Sequence, residues 1–438
     1  MQLKKPIGAT LATATCGLLG ALPAAPVAAQ EAPGWEVDTS LLYYGEDVGR
    51  VSDGSLMTSI RRVLDEDRSY SLHLTVDALT GSTPNGAVPA NSVQTFTAPS
   101  GGQDYSIAPG KPPLDPNFKD ARVALSGNWQ QALGESMRWN VGFSSSDELD
   151  YLHLGLDTRL ERDFNRRNTT IFVGAAYGRD EVSPIGGAPI GFSPMLPSVG
   201  GGEDEEGNDE GEGGGETKDV IDALVGVTQV LSRRSLLELA FSYGKSDGYL
   251  TDPYKILAVV DPVTGAPVPG PVGSGLNLYL HEQRPDSRTK QSVFLEWRHA
   301  FDRDSMALNY RVMDDDWGVT SQTAELRYRW NISDNNYLEP HIRYYQQSAA
   351  DFYQTVLFAG APLPPFASAD YRLADNQTYT AGFKFGHRTE HGEYSLRLEY
   401  YRQTADPSPG SAVGDLVNYD LVPPLNAVIA QFGYKFSF

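Results

Sequence analysis

The sequence predicts an all-β fold: a transmembrane, antiparallel, up-and-down β-barrel of about 16 strands, with long extracellular loops and short periplasmic turns. Three observations predict it. Apolar and polar residues alternate strictly in many runs, as at Tyr70-Leu72-Leu74-Val76, Met137-Trp139-Val141-Phe143, Ala324-Leu326-Tyr328-Trp330 and Tyr394-Leu396-Leu398-Tyr400. Period two gives each strand one apolar and one polar face. The runs extend roughly 10–14 residues, against about 5–6 in soluble sheets and about 9–11 for a tilted strand crossing a bilayer. Finally, tight connections alternate with long ones.

Residues 1–29 read as a secretory signal peptide, with Lys4 and Lys5, an apolar stretch from Ile7 to Leu22, and the small-residue run Val27-Ala28-Ala29. The single cysteine, Cys16, lies inside this leader. Thr13-Ala14-Thr15 lacks the large apolar residue that a lipoprotein cysteine would need. Cleavage after Ala29 leaves residues 30–438 without a thiol, which removes disulfides, zinc thiolates and cysteine nucleophiles. The formal net charge is −21, from 35 Lys+Arg and 56 Asp+Glu. That balance argues against nucleic acid as a partner.

One strand per alternating run places them near 34–44, 51–63, 68–80, 119–130, 136–146, 149–161, 168–180, 219–231, 235–248, 289–301, 305–315, 319–330, 336–347, 376–388, 393–404 and 425–438. The long outer loops are then 81–118, 181–218, 249–288, 348–375 and 405–424. Tight turns such as Leu64-Asp65-Glu66-Asp67 and Glu390-His391-Gly392 fall at the opposite end. In hydrocarbon every backbone N–H and C=O must be paired within the protein, so the sheet must close. About 16 strands leave a wet lumen. Any constriction must come from lumen side chains or an inward-folded long loop.

Aromatic residues sort along this topology. Trp35, Trp129, Trp139, Trp297 and Trp330 fall on the apolar face near the short-turn end and form a periplasmic girdle; Trp317 lies at the other end. Tyr43, Tyr177, Tyr243, Tyr344, Tyr379 and Tyr400 fall near the long-loop end. Amphipathic rings favour headgroup zones, so outer-membrane lipid is the expected surroundings. The ending Phe432-Gly433-Tyr434-Lys435-Phe436-Ser437-Phe438 resembles the last strand read by the barrel assembly machinery, a partner reached through Phe438. The expected location is the outer membrane of a Gram-negative bacterium.

Candidate functional features are few. The run 201–216 carries Glu203, Asp204, Glu205, Glu206, Asp209, Glu210, Glu212 and Glu216 among glycines. It lacks the ligand spacing of an EF-hand, so a solvated, disordered insert is the plainer reading, with divalent-cation contact or a pore-lining loop as sharper ones. Alternation points Glu296, Arg298, Arg311, Glu325, Arg327, Arg329, Glu339, His341, Arg343, Lys384, Arg397 and Glu399 into the lumen. These lumen-lining charges read as cross-strand ion pairs or as an arginine-rich wall that sets a transverse field. His73, His153, His281, His299, His341, His387 and His391 are scattered, with no HExxH, no Gly-x-Ser-x-Gly elbow and no Walker loop. His341 between Glu339 and Arg343 reads as a salt-bridge member rather than a relay. No catalytic residue, metal site or cofactor is expected, and the protein reads as a non-enzyme.

Two longer motifs close the third and ninth strands: Asp77-Ala78-Leu79-Thr80-Gly81-Ser82-Thr83-Pro84-Asn85-Gly86-Ala87, and Ser242-Tyr243-Gly244-Lys245-Ser246-Asp247-Gly248-Tyr249-Leu250-Thr251-Asp252-Pro253-Tyr254-Lys255. Asn85-Gly86 and Asp252-Pro253 are turn chemistry. Asp77, Asp247 and Asp252 are expected to form an acidic cluster at the barrel mouth. The two segments resemble hallmarks of an uncharacterised bacterial outer-membrane family, domain of unknown function 3570, and the resemblance covers nearly all of the mature chain. It implies an outer-membrane location. It also implies a setting beside a flavin transferase and a small lipoprotein, hence a periplasmic or surface redox partner. It implies no substrate and no catalytic residues. The expected role is a channel or transport component for a small solute, with a scaffold barrel for a flavin-linked partner as the alternative.

Overall fold

The computed structural model describes residues 33–47, 50–81, 84–97, 104–114, 119–184, 187–195, 215–272, 276–405, 412–422 and 424–438. The expected leader, and residues 201–214 of the acidic run, lie outside the described residues. In chain order the strands are β1 (Gly34–Glu46), β2 (Ser52–Val63), β3 (Arg68–Thr80), β4 (Gln94–Thr97), β5 (Asp104–Ile107), β6 (Lys119–Ala132), β7 (Met137–Glu148), β8 (Tyr151–Phe164), β9 (Thr169–Val182), β10 (Glu216–Ser232) and β11 (Ser235–Gly248). They continue as β12 (Ile256–Val260), β13 (Tyr279–His281), β14 (Ser287–Ala300), β15 (Ser305–Asp315), β16 (Thr320–Asn331), β17 (Asn336–Gln347), β18 (Val356–Phe358), β19 (Asn376–Arg388), β20 (Glu393–Ala405) and β21 (Leu425–Ser437).

Sixteen of these close a barrel in the order β1-β2-β3-β6-β7-β8-β9-β10-β11-β14-β15-β16-β17-β19-β20-β21. Closure runs through β1 and β21, from Glu36 opposite Ser437 to Glu46 opposite Ala427. Trp35 and Phe438 complete it by exchanging backbone hydrogen bonds of 2.7 and 2.9 Å. Among the described residues no helix is long and apolar enough to cross a membrane; here the strands cross.

The barrel is inverted relative to a soluble protein. The exposed side chains on its outer wall are Leu41, Leu56, Leu74, Val76, Leu125, Phe143, Leu156, Val225, Phe383 and their neighbours. The polar alternates point inward. Trp129, Trp139 and Trp330 are 39%, 43% and 52% exposed, as rings facing lipid must be. Trp35, near the start of β1, packs on Tyr70 and Phe438 and lies under the Arg62 guanidinium at 4.6 Å.

Several boundaries move. β10 begins at Glu216, so that residue and the next two belong to a strand rather than to the acidic insert or the loop. Trp317 is not on the outer wall: it is buried in the 316–319 turn, donates Nε1–H to Ser287 O at 2.8 Å, and lies under the Arg288 guanidinium at 4.3 Å. The long outer segments are not plain loops either. β12, β13 and β18 form a three-stranded sheet and β4 pairs with β5. All five residues of Ile256-Leu257-Ala258-Val259-Val260 are buried. These strands are short and lack period two because both of their faces are covered.

The outer segments share one apolar core. Ala87, Val88, Phe96, Tyr105 and Ile107 from the first meet Met195 from the second, Ile256, Ala258, Val260 and Tyr279 from the third, Val356 from the fourth and Leu416 from the fifth. They form a cap.

Leu74 lies midway along β3, on the lipid face. Leu74→Arg is expected to lower folded stability by about 2–4 kcal/mol in urea unfolding from vesicles, the range for an arginine near the bilayer midplane.

Candidate functional site

The cap is held to the rim by charges that leave water together. Asp252 Oδ2 accepts from Arg372 at 2.6 Å, and Asp252 N–H donates to Glu282 Oε1 at 2.7 Å. Glu282 pairs with Arg284 at 2.6 Å and accepts from the Ser368 hydroxyl. Arg284 donates to Asp370 at 2.8 Å, and Arg372 grips the same carboxylate through Nε. Lys255 Nζ donates to Pro84 O at 2.5 Å. Three carboxylates thus face three cations. Burial raises the Asp370 carboxyl, but Arg372, Lys255 and Arg284 overcome it and hold that group well below the usual carboxylate range. Burial pushes Glu282 up against the pull of Arg284, and pushes the Lys255 ammonium down.

This network crosses the mouth. Arg50, in the turn after β1, and Lys255, in the segment after β11, both stand 5.9 Å over the Tyr371 ring. β1 and β11 are eight places apart in the ring of sixteen, half the circumference. Tyr371 itself comes from a third direction, between β17 and β19. A second apolar cluster joins Val182, Leu250, Trp317, Ala350, Tyr353 and Leu373, again from rim and cap together. A narrow cleft lies in the cap among Arg50, Pro84, Val88, Pro112, Tyr371 and Leu421.

The two motifs picked out in the sequence meet here. Ile256 N–H donates to Asn85 O at 2.9 Å, and Lys255 reaches Pro84. Asn85 caps its own turn, accepting from Ala87 N–H at 2.9 Å and donating to the Tyr105 hydroxyl at 2.9 Å. Gly86 sits at φ +101, and a Cβ there would stand 2.3 Å from Ile256 O; only glycine allows this approach.

The match is one of family. This chain belongs to the family described as a protein of unknown function, DUF3570, which it matches over residues 8–436. No curated protein matches it. Among solved structures, the ferric enterobactin receptor of Pseudomonas aeruginosa is 12% identical with a TM-score of 0.39, covering 88% of this chain and 56% of the receptor. The DUF3570 chain therefore spans little more than half of that receptor's length. A monoaromatic hydrocarbon channel, CymD, is 10% identical at TM-score 0.37, covering 93% and 89% of the two chains. The Pseudomonas putida toluene transporter TodX is 11% identical at 0.36, covering 92% and 89%.

The expected acidic cluster at the mouth does not form. Asp77 faces inward and pairs with Arg122 on β6 at 2.6 Å. Asp247 lies on the outer face of β11 beside Lys245 at 2.9 Å. Only Asp252 enters the cap. Asp77 points into the barrel and Asp247 away from it, so the two cannot converge.

The candidate lumen charges lie on β14, β15, β16, β17, β19 and β20. Arg298 pairs with Glu296, Arg327 with Glu325 at 2.5 Å, and Arg329 with Glu339 at 2.9 Å. His341 bonds Glu399 at 2.8 Å and approaches Glu325 at 3.4 Å, not Glu339 or Arg343. Arg311 lies over the Phe294 ring at 5.5 Å. Arg397 is 3.9 Å from Glu399, and Lys384 is in register with both Glu339 and Arg397. Arg343 sits opposite Glu325. The twelve residues comprise seven Lys or Arg and four Glu, plus His341. β17, β19 and β20 lie half a turn from β7, β8 and β9. There, and on β10 and β11, the inward charges include Glu148, Asp157, Glu161, Asp163, Asp180, Asp222 and Glu238 against Arg138, Arg159 and Lys218. A cation-rich wall faces an acid-rich one. Among the described residues no group of three His, Cys, Asp or Glu is arranged to hold a metal.

Two expectations follow for the cap. Gly86→Ala should unlock the motif contact, costing about 1–3 kcal/mol, read as faster amide exchange in 84–88 and 256–260 with barrel strands unchanged. The second concerns pH. Burial lowers the His281 imidazole to about 4, against about 6.5 when free. The folded cap keeps it neutral, while the opened chain takes a proton below about 6.5. Its contribution is therefore full above that pH and lost as pH falls toward 4. Exchange of amides 279–281, corrected for intrinsic rate, should quicken between pH 7 and pH 5, and His281→Gln should remove that part of the slope.

Proposed function

We propose that this DUF3570 chain is an outer-membrane transport barrel that passes a small polar solute through a gated mouth. The observation that carries the reading is the cap: a buried ion-pair network joins the segments after β11 and β17, Arg50 from the far side of the rim reaches the same Tyr371 ring, and the lumen below has walls of opposite charge excess. An interlocked cap suits selective, intermittent passage better than free diffusion. Opposed walls of unlike sign set a field across the lumen, which orients dipolar solutes as they pass. The apolar outer band supports residence in the lipid of a Gram-negative outer membrane, and the aromatic final strand ending at Phe438 supports delivery by the assembly machinery. The flavin-linked redox partner rests on the family resemblance alone.

Planar-bilayer conductance tests this. The wild-type barrel is expected to conduct weakly or in bursts. Arg372→Ala, which leaves Asp252 and Asp370 without their shared cation, is expected to raise mean conductance several-fold with heat-modifiable migration unchanged. A silent Arg372→Ala barrel would refute the gate. Arg343→Gln with Arg397→Gln should shift the reversal potential in a salt gradient toward cation preference, because the cation-rich wall loses two of its charges.

A further inference from the structure

The scattered histidines hide an ordered set. His153 on β8 lies in register with Ser146 on β7 and Asp180 on β9, and Asp180 with Lys218 on β10. His153 Nδ1 is 2.6 Å from Asp180 Oδ1, and His153 Nε2 is 3.0 Å from Ser144 Oγ. Lys218 Nζ holds the other Asp180 oxygen at 2.7 Å. His153, Asp180 and Lys218 are buried, while Ser144 is half-exposed on the inward face.

The chemistry of these contacts is directional. An ionised carboxylate only accepts, so Nδ1 carries the imidazole proton and Nε2 is left bare toward the Ser144 hydroxyl. The Lys218 ammonium gives the buried Asp180 carboxylate a counter-charge on its second oxygen. Two glycines make the room. Gly155 stands opposite Ser144, and a Cβ there would fall 2.5 Å from Ser144 Oγ and 3.0 Å from His153 Nε2. A Cβ at Gly178 would fall 3.1 Å from the same ring. Strand backbone N–H groups are committed to the ladder and offer no oxyanion hole. Ser146 Oγ, two residues along the same face, is buried with no hydrogen-bond partner among the described residues. Tyr151 and Val182, next on the inward faces of β8 and β9, pack into the cap cluster, so the group lies directly beneath the cap.

We infer that Ser144, His153 and Asp180 form a nucleophilic site on the inner wall that acts on small carboxylic esters. This activity is separate from passage and independent of the gate. Ser144 Oγ attacks the ester carbonyl carbon while its proton passes to His153 Nε2, and the carbonyl electron pair moves onto oxygen. Collapse of that intermediate expels the alcohol, which takes the proton from Nε2. Water then repeats the sequence on the acyl-serine, releasing the carboxylic acid and restoring Ser144. Asp180 and Lys218 are positioning residues: they fix the tautomer and touch no reacting atom.

Purified full-length barrel in detergent is treated with diisopropyl fluorophosphate, the adduct is mapped by mass spectrometry, and p-nitrophenyl acetate turnover is followed in parallel. One adduct on Ser144 is expected. Ser144→Ala should abolish adduct and turnover, and His153→Gln should slow labelling by about 10²–10⁴-fold. Asp180→Asn should lower the maximal labelling rate with the half-saturating reagent concentration unchanged, a split that a purely structural role would not give. Heat-modifiable migration reports folding of each variant. Arg372→Ala is labelled alongside, so that exclusion by the cap cannot explain a silent wild type. Absence of an adduct in both proteins, an adduct that survives Ser144→Ala, or full-speed labelling of His153→Gln overturns the assignment.

Discussion

One constraint organises the molecule: backbone polar groups placed in hydrocarbon must find partners within the chain. An open sheet would leave two edges unpaired, so the ends of the sheet must meet. They do so along almost the whole of β1 and β21, with Trp35 and Phe438 closing the last pair. Everything else hangs on that closure. It fixes which face of each strand is enclosed, brings β17, β19 and β20 opposite β7, β8 and β9, and leaves the outer wall to Leu, Val, Phe and the Trp and Tyr rings.

The cap answers a different physical problem. Its segments lie outside the ladder, so apolar packing and side-chain bonds must hold them. The shared core of Phe96, Tyr105, Ala258, Tyr279 and Val356 supplies the first. The ring of Asp252, Glu282, Asp370, Lys255, Arg284 and Arg372 supplies the second. Buried ion pairs are costly to desolvate and weak as net stabilisers, yet costly to break singly. Such a network specifies one docked arrangement more than it adds stability, and that property suits a cap that must either sit in place or leave it.

The inner wall shows how a regular sheet builds irregular chemistry. Register alone sets Glu325 opposite Arg343 and His153 opposite Asp180. Glycines then decide which side chains may lie across their neighbours: Gly155 and Gly178 let His153 lean toward Ser144, and Gly386 leaves space for the Tyr337 ring.

The closed antiparallel barrel was legible in the sequence alone, because period two is a local property that survives in one dimension. The two family motifs were visible too, but not their contact: Asn85 and Ile256 are far apart in sequence, and Asp77 and Asp247 looked like partners of Asp252 until their faces were known. The sequence places Trp317 at the long-loop end but does not mark it as buried in a turn. The cap strands were illegible, since short segments covered on both faces have no period. His153, Ser144 and Asp180 come from three strands and form no spacing motif. Only the tertiary structure decided these, because inter-strand register and loop docking are relations between distant residues, and no window along a single chain contains them.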